Sequence, residues 1–277
     1  MAEKKKICFS MNRKYVEYIC ICVSSLLRHT DSADLIQFVF LLNPDVTEIE
    51  IEQLRKTALA GGSSEPYFIY PEKAFNFQFN LNEGNNFLSV YNQTPFYRML
   101  LPELLEDDEC LYLDADIAVC GDVLKIFETD IQDAYIMGVT DRLCLDEKQY
   151  DFVTDHGLPF GSYVNSGVLR MNLKRLREDN IAKYMQEFGK TRFFPYLDQD
   201  IINYCCKGNV IFLNKRFNVF PDDTASDMQY LRERIAGTDS VFCEEALLNP
   251  TIIHYIGPNK PWKDPSGRYA EIWLGQK

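Results

Sequence analysis

The chain has 277 residues, 46% hydrophobic and 25% charged, the proportions of a folded globular protein rather than a disordered or low-complexity one. Its 29 Lys and Arg against 41 Asp and Glu give a formal net charge of −12, which excludes nucleic acid as the main partner because no net positive field gathers phosphates. Nine cysteines, an odd number with several inside apolar runs such as ICICV, argue against a disulfide or zinc framework and for a reducing, cytoplasmic compartment.

In chain order, Lys6–Ser10 (KICFS) reads as a buried strand, and Val16–Arg28 as a helix with Ile19, Val23, Leu26 and Leu27 on one side. The apolar stretch Tyr15–Leu27 carries Glu17 and is too short to span a bilayer. Ile36–Leu42 (IQFVFLL) is a second strand, ended by Asn43-Pro44. Thr47 with Glu50 three positions on forms a capping box for a helix running to about Leu59, stopped by Gly61-Gly62. Tyr67–Tyr70 is a third strand and Pro95–Leu105 another helix. Cys110–Leu113 (CLYL) is a fourth strand that runs straight into Asp114-Ala115-Asp116.

Strand–helix alternation with crossovers of this length predicts an α/β fold, a mostly parallel sheet with helices on both faces. Ligands of such sheets bind beyond the carboxyl ends of the strands. That places Ser10–Lys14, Asn43–Asp45 and Asp114–Asp116 on one rim. After residue 120 the pattern loosens: Ala134–Thr140 and Tyr163–Met171 read as strands, Leu173–Phe188 and Gln199–Cys206 as helices, and Thr251–Ile256 as a late strand. This second part is expected to form a smaller mixed lobe at the same rim.

Two aspartates two apart at a strand end point their carboxylates to one side. Such a pair of hard oxygen donors suits an octahedral divalent ion, and burying both without a cation would be strongly unfavourable. His254 leaves the late strand in the run HYIGPNKPW, where its imidazole can add a third ligand; a mixed oxygen and nitrogen set favours Mn2+ over Mg2+. In the same run Gly257 permits close backbone approach to a phosphate and Lys260 supplies a point charge. Asn165-Ser166-Gly167 interrupts an apolar strand with small and polar residues. Asp198, just before an apolar helical run, has the simpler reading of a helix N-cap. Arg98 lies among apolar neighbours, where a guanidinium either snorkels or meets an anion.

The segments YLDADIAV, YVNSGVLRMNL, LDQDIIN and HYIGPNKPW, in that order and spacing, resemble the retaining family 8 glycosyltransferases, which include bacterial lipopolysaccharide galactosyl- and glucosyltransferases and glycogenin. The resemblance runs from KICFS to KPW. It implies a single GT-A domain over 1–277, a Rossmann-like fold whose half 1–120 binds the nucleotide and whose half 121–277 serves the donor sugar and the acceptor. It implies hexose transfer from UDP-galactose or UDP-glucose, with Mn2+ (Mg2+ admitted) held by Asp114, Asp116 and His254. Gly257 and Lys260 would hold the diphosphate. Arg98, Asn165 and Asp198 would contact the donor sugar, Gln199 would lie beneath its anomeric carbon, and Asp141 would stand near the sugar. Ser10, Asn12, Tyr15 and Ala115 would line the nucleotide side; Asn12 stands where the family commonly has an aspartate facing the uracil N–H. The acceptor would be a saccharide or lipid-linked saccharide, compatible with peripheral attachment to a membrane.

Two other readings compete. Asp114-Ala115-Asp116 after an apolar strand is also similar to the nucleophile motif of aspartyl-phosphate phosphohydrolases, with Asp222 and Asp223 as a second acidic pair. That reading leaves HYIGPNKPW unexplained. The third is a non-catalytic sugar-nucleotide-binding protein.

Overall fold

The computed structural model describes residues 3–71, 93–145, 157–191, 194–235, 237–238 and 240–276. Seven strands form the main sheet: β1 (Lys5–Met11), β2 (Ile36–Leu42), β3 (Ser64–Ile69), β4 (Glu109–Leu113), β6 (Ile136–Thr140), β7 (Val164–Asn172) and β8 (Val210–Phe212). Their order is β3-β2-β1-β4-β7-β6-β8, and β5 (Ile117–Val119) pairs with β9 (Ile252–His254) in a separate ribbon. The β3–β2, β2–β1, β1–β4 and β6–β8 pairs are parallel, while β7 runs antiparallel to both β4 and β6. The mixed α/β architecture predicted from the sequence is therefore present, and the second part of the chain contributes three strands to the same sheet.

The continuous apolar runs of β1 and β2 follow from burial on both faces. Ile7 and Phe9 meet the helices Val16–Arg28 and Glu48–Ala60 through Ile19, Val23 and Leu54; Cys8, Val39 and Leu41 point the other way, into a core shared with Tyr97, Ile201 and Ile202. A smaller core gathers Leu143, Tyr163, Met228, Leu231 and Phe242 from the second part of the chain. The capping box is formed, with the Thr47 N–H donating to Glu50 Oε2 at 2.9 Å. All nine cysteines are free thiols, seven of them buried, so no disulfide framework exists. Among the described residues no helix is long and apolar enough to cross a membrane.

Two predicted helices differ. Pro95–Leu105 is mainly a 3-10 helix, Thr94–Leu100, followed by one α-turn, Leu101–Leu104. Pro102 has no N–H, and its ring would clash with the Arg98 carbonyl in a continuous α-helix. The expected helix Leu173–Phe188 is two, Leu173–Glu178 and Ile181–Gly189, broken at Asn180, whose φ of 57° is left-handed. A short polar side chain tolerates that conformation where a branched one would not.

Candidate functional site

Strand pairing builds the site. Leu113 pairs with Val168, and just beyond it the Asp114 N–H donates to the Gly167 carbonyl at 2.8 Å. Ile117 pairs with His254, and the Tyr255 N–H donates to the Asp116 carbonyl at 2.9 Å. The chain thus passes from the main sheet to the ribbon across Asp114–Asp116, and the ribbon delivers His254 from 138 positions further along the sequence than Asp116. One ligand atom each from Asp114, Asp116 and His254 lies within 4.8 Å of the others. His254 Nε2 stands 3.2 Å from Asp116 Oδ1 and 3.7 Å from Asp114 Oδ2.

The cluster closes over Gly167. A Cβ there would stand 2.2 Å from His254 Cε1 and 2.6 Å from Asp114 Oδ2, so this position admits no side chain. Asp114 Oδ1 is fixed from behind, accepting from Arg98 Nη2 at 2.8 Å and from the Tyr112 hydroxyl at 3.1 Å, which leaves Oδ2 turned toward the imidazole. Ser10 Oγ completes that chain at 2.6 Å from the Tyr112 hydroxyl. Asp116 Oδ2 accepts from the Lys260 ammonium, which also donates to the Tyr255 carbonyl at 2.6 Å. Burial pushes the Asp116 carboxyl up, but Lys260 and His254 outweigh it and hold it below the usual carboxylate range. A half-buried carboxylate pair, one member of which draws a lysine ammonium onto itself, with an imidazole alongside, has the donor chemistry to hold a divalent ion of the Mn2+ or Mg2+ class.

A second group of polar side chains adjoins the first. Arg98, 4% exposed, donates to the Ser166 carbonyl at 2.6 Å and lies 3.1 Å from Asp198 Oδ2. Burial works to lower its pKa, but Asp114 and Asp198 raise it further, so the guanidinium stays charged. Asp198 is not the N-cap: the helix begins at Asp198 itself, Leu197 precedes it at φ 52°, and no side chain caps it. Among the described residues its buried Oδ2 has no hydrogen-bond donor. Burial is the main reason its carboxyl is pushed up to about 6, with Asp114 adding to it and Arg98 opposing. Gln199 Oε1 accepts from the Ser166 N–H at 2.9 Å and Asn165 Nδ2 at 3.2 Å, while Asn165 Nδ2 also donates to Asp141 Oδ2 at 2.8 Å. Asp141, Asn165, Gln199, Tyr196 and Gly257 line one side of an open cavity of about 780 Å3. Gly257 has φ +73°, and among the described residues nothing lies within 4 Å of where its Cβ would be, so the backbone there is open to a ligand.

The structure therefore gathers Asp114, Asp116, His254 and Lys260 into one group and Arg98, Asn165, Asp198, Gln199 and Asp141 into its neighbour. Ser10 reaches the first through Tyr112, and buried Ala115 lies between the two aspartates. Asn12 and Tyr15 lie at the short turn that follows β1: Asn12 Oδ1 accepts from the Lys14 N–H at 3.0 Å, and the Tyr15 ring meets Tyr18 edge-on. Sequence reasoning passed over Tyr112 and Asn218. Tyr112 looked like one more apolar-strand residue in CLYL. Asn218, wholly buried between Phe217 and Val219, carried the one available signal, an amide inside an aromatic run. The Asp222–Asp223 pair does not serve as a second acidic pair beside Asp114, because Asp223 is spent on Lys215 at 2.8 Å, Arg142 at 3.1 Å and the Phe220 N–H at 2.7 Å.

The model of glycosyl transferase family 8 matches residues 6–266. The chain belongs to glycosyl transferase family 8. Within the family it is 26% identical over 277 residues to the glycosyltransferase GlyE of Streptococcus pneumoniae serotype 4, covering 98% of this chain and 60% of that protein. It is 28% identical over 193 residues to the lipopolysaccharide 1,2-glucosyltransferase of Escherichia coli K12, covering 67% of this chain and 55% of that one. The chain thus spans little more than half the length of these curated family 8 relatives. Its fold superposes on the galactosyltransferase LgtC, solved with donor and acceptor sugar analogues, with a TM-score of 0.73 at 25% identity, covering 98% of this chain and 94% of LgtC. Family 8 membership replaces the phosphohydrolase reading.

Proposed function

We propose that this family 8 protein is a metal-dependent hexosyltransferase that moves galactose or glucose from a UDP-sugar to a saccharide or lipid-linked saccharide acceptor, with the anomeric configuration retained and residues 1–277 acting as one catalytic unit. The observation that carries the reading is the meeting of Asp114, Asp116 and His254 beside an open cavity lined by Asp141, Asn165 and Gln199. Mn2+, with Mg2+ as the alternative, would be held by Asp114, Asp116 and His254, and when bound it supplies Lewis-acid stabilisation of the charge on a departing diphosphate. LgtC, solved with donor and acceptor sugar analogues, supports the same kind of substrate pair here.

Lys260 in this reading leaves Asp116 and moves its ammonium to the diphosphate, and the open backbone at Gly257 gives the phosphates room; placing positive charge where negative charge develops is the largest kind of catalytic term. Arg98, Asn165 and the undonated Oδ2 of Asp198 bind the sugar hydroxyls, and Gln199 lies under the anomeric carbon. The hydrogen bonds held by Asp141 and the charge pairing of Asp198 with Arg98, which weakens it as a nucleophile, support same-face attack over a covalent intermediate. Asp141 accepts from the Leu143 N–H and from Asn165, and Asp198 sits against Arg98. The acceptor proton then passes to an oxygen of the leaving β-phosphate.

The test is hydrolysis of UDP-galactose and UDP-glucose with and without Mn2+, paired with thermal stabilisation by UDP. Metal-dependent release of UDP, abolished in Asp116→Ala, is expected. Stabilisation by a UDP-sugar without any turnover would make the protein a non-catalytic binder, and a glycosyl–Asp198 adduct caught by mass spectrometry would overturn same-face attack.

A further inference from the structure

A backbone N–H fixes the protonation pattern of His254 from three groups away. The Gly167 N–H can only donate, and it donates to Asn165 Oδ1 at 3.0 Å. Asn165 therefore presents oxygen to Asn218, and the atom of Asn218 that faces it at 3.0 Å must be its NH2 group. The amide of Asn218 is then oriented, with Oδ1 toward His254 Nδ1 at 3.1 Å. An oxygen there requires that Nδ1 carry a hydrogen. Nε2 is then the nitrogen directed at Asp114 and Asp116, the one whose lone pair a bound cation would take.

Asn218 is held for this task. It follows the turn Lys215–Phe217, and its neighbour Val219 bonds across to the late strand, accepting from the His254 N–H at 2.9 Å and donating to Ile252 at 3.0 Å. The side chain has no contact with solvent, and Phe220 packs edge-on against the imidazole at 5.9 Å between centroids. The other end of the chain continues from Asn165 Nδ2 to Asp141 and Gln199.

We infer that Asn218 is a positioning residue that locks His254 in its Nδ1–H form, with Nε2 free for the metal, and ties that ligand through Asn165 to the groups beneath the donor sugar. Outer partners of a metal-binding histidine fix its tautomer and aim, and their loss weakens metal affinity by about 10–100-fold. The inference rests on the metal reading above, but its first test needs no metal.

Long-range 1H–15N spectra of the metal-free protein should show His254 protonated at Nδ1, with His254→Gln used to assign its signals among the three histidines; a ring protonated at Nε2 alone would overturn the inference. Mn2+ affinity, measured by paramagnetic resonance without nucleotide, separates the two halves of the chain. Asn218→Leu should weaken Mn2+ binding about 10–100-fold. Asn218→Asp keeps an acceptor for Nδ1–H but loses the donor to Asn165, so it should hold Mn2+ within about threefold of the parent while binding UDP-sugar about tenfold more weakly. Equal Mn2+ loss in both variants, or none in a folded Asn218→Leu, would sink the proposal. Should Asn218→Leu not fold, the tautomer and Asn218→Asp still decide it. A parent protein that shows the Nδ1–H ring yet binds no Mn2+ would refute the metal reading instead.

Discussion

Gly167 and His254 are in contact only because one of them has no side chain: the first carbon of any side chain on Gly167 would lie 2.2 Å from His254 Cε1. The small residue in the run Asn165-Ser166-Gly167 is what allows β7 to pass directly under both Asp114 and the imidazole. Gly167→Ala should therefore fold with a loss of roughly 1–3 kcal/mol, as overpacking costs in a tight interior. Its Mn2+ affinity should fall far more than its stability, since both displaced neighbours are proposed ligands. Titration calorimetry with Mn2+ beside urea denaturation checks the split; unchanged metal affinity would remove the metal from this cluster.

Lys260 and Asp116 form a pair across 144 positions of sequence. The same ammonium is proposed to serve the diphosphate, so it competes with the metal for Asp116 until nucleotide arrives. Lys260→Met should then bind Mn2+ alone several-fold more tightly and bind UDP with Mn2+ about tenfold more weakly. Calorimetric titrations in the two orders of addition read both effects.

The buried Asp198 carboxyl costs stability as it ionises. Its folded-state value of about 6 lies above the unfolded 3.8, so the unfolded chain ionises first as pH rises. The cost is absent below about 4, grows from there to about 6 and is fully present above, amounting to roughly 1–3 kcal/mol for a shift of about two units. Asp198→Asn should accordingly be more stable than the parent at pH 8 and lose that advantage at pH 4, while sugar transfer falls. Denaturant midpoints at the two pH values test the sign.

Away from the Asp114–Asp116–His254 cluster, Lys215 and Asp223 are a buried ion pair, 2% and 1% exposed at their side chains. Lys215→Met leaves the carboxylate, among the described residues, with Arg142 as its charged partner and should destabilise by about 2–4 kcal/mol, less than the full cost of an uncompensated buried charge. Adding Asp223→Asn should restore part of the loss, which denaturation of the single and paired variants would reveal.

Much of this protein is written locally. The apolar runs of β1, β2 and β4, the Thr47–Glu50 cap and the Gly61-Gly62 stop determined the alternating half, because each depends on neighbours within a few positions. The spacing of two aspartates at a strand end likewise announced an acidic edge with the donor chemistry for a cation, and the four motifs announced family 8. Pro102 and Asn180 are visible in the sequence too, yet whether a proline or a left-handed residue breaks a helix depends on what packs beside it. Only the tertiary structure decided the rest. Pairing of β5 with β9 brought His254 to Asp116, the antiparallel β7 put Gly167 beneath both, and the turn before Val219 carried Asn218 to the imidazole. Those relationships join residues 36 to 138 positions apart, and no local preference encodes them: they exist because the strands share one hydrogen-bonded frame, and a frame is a property of the folded chain.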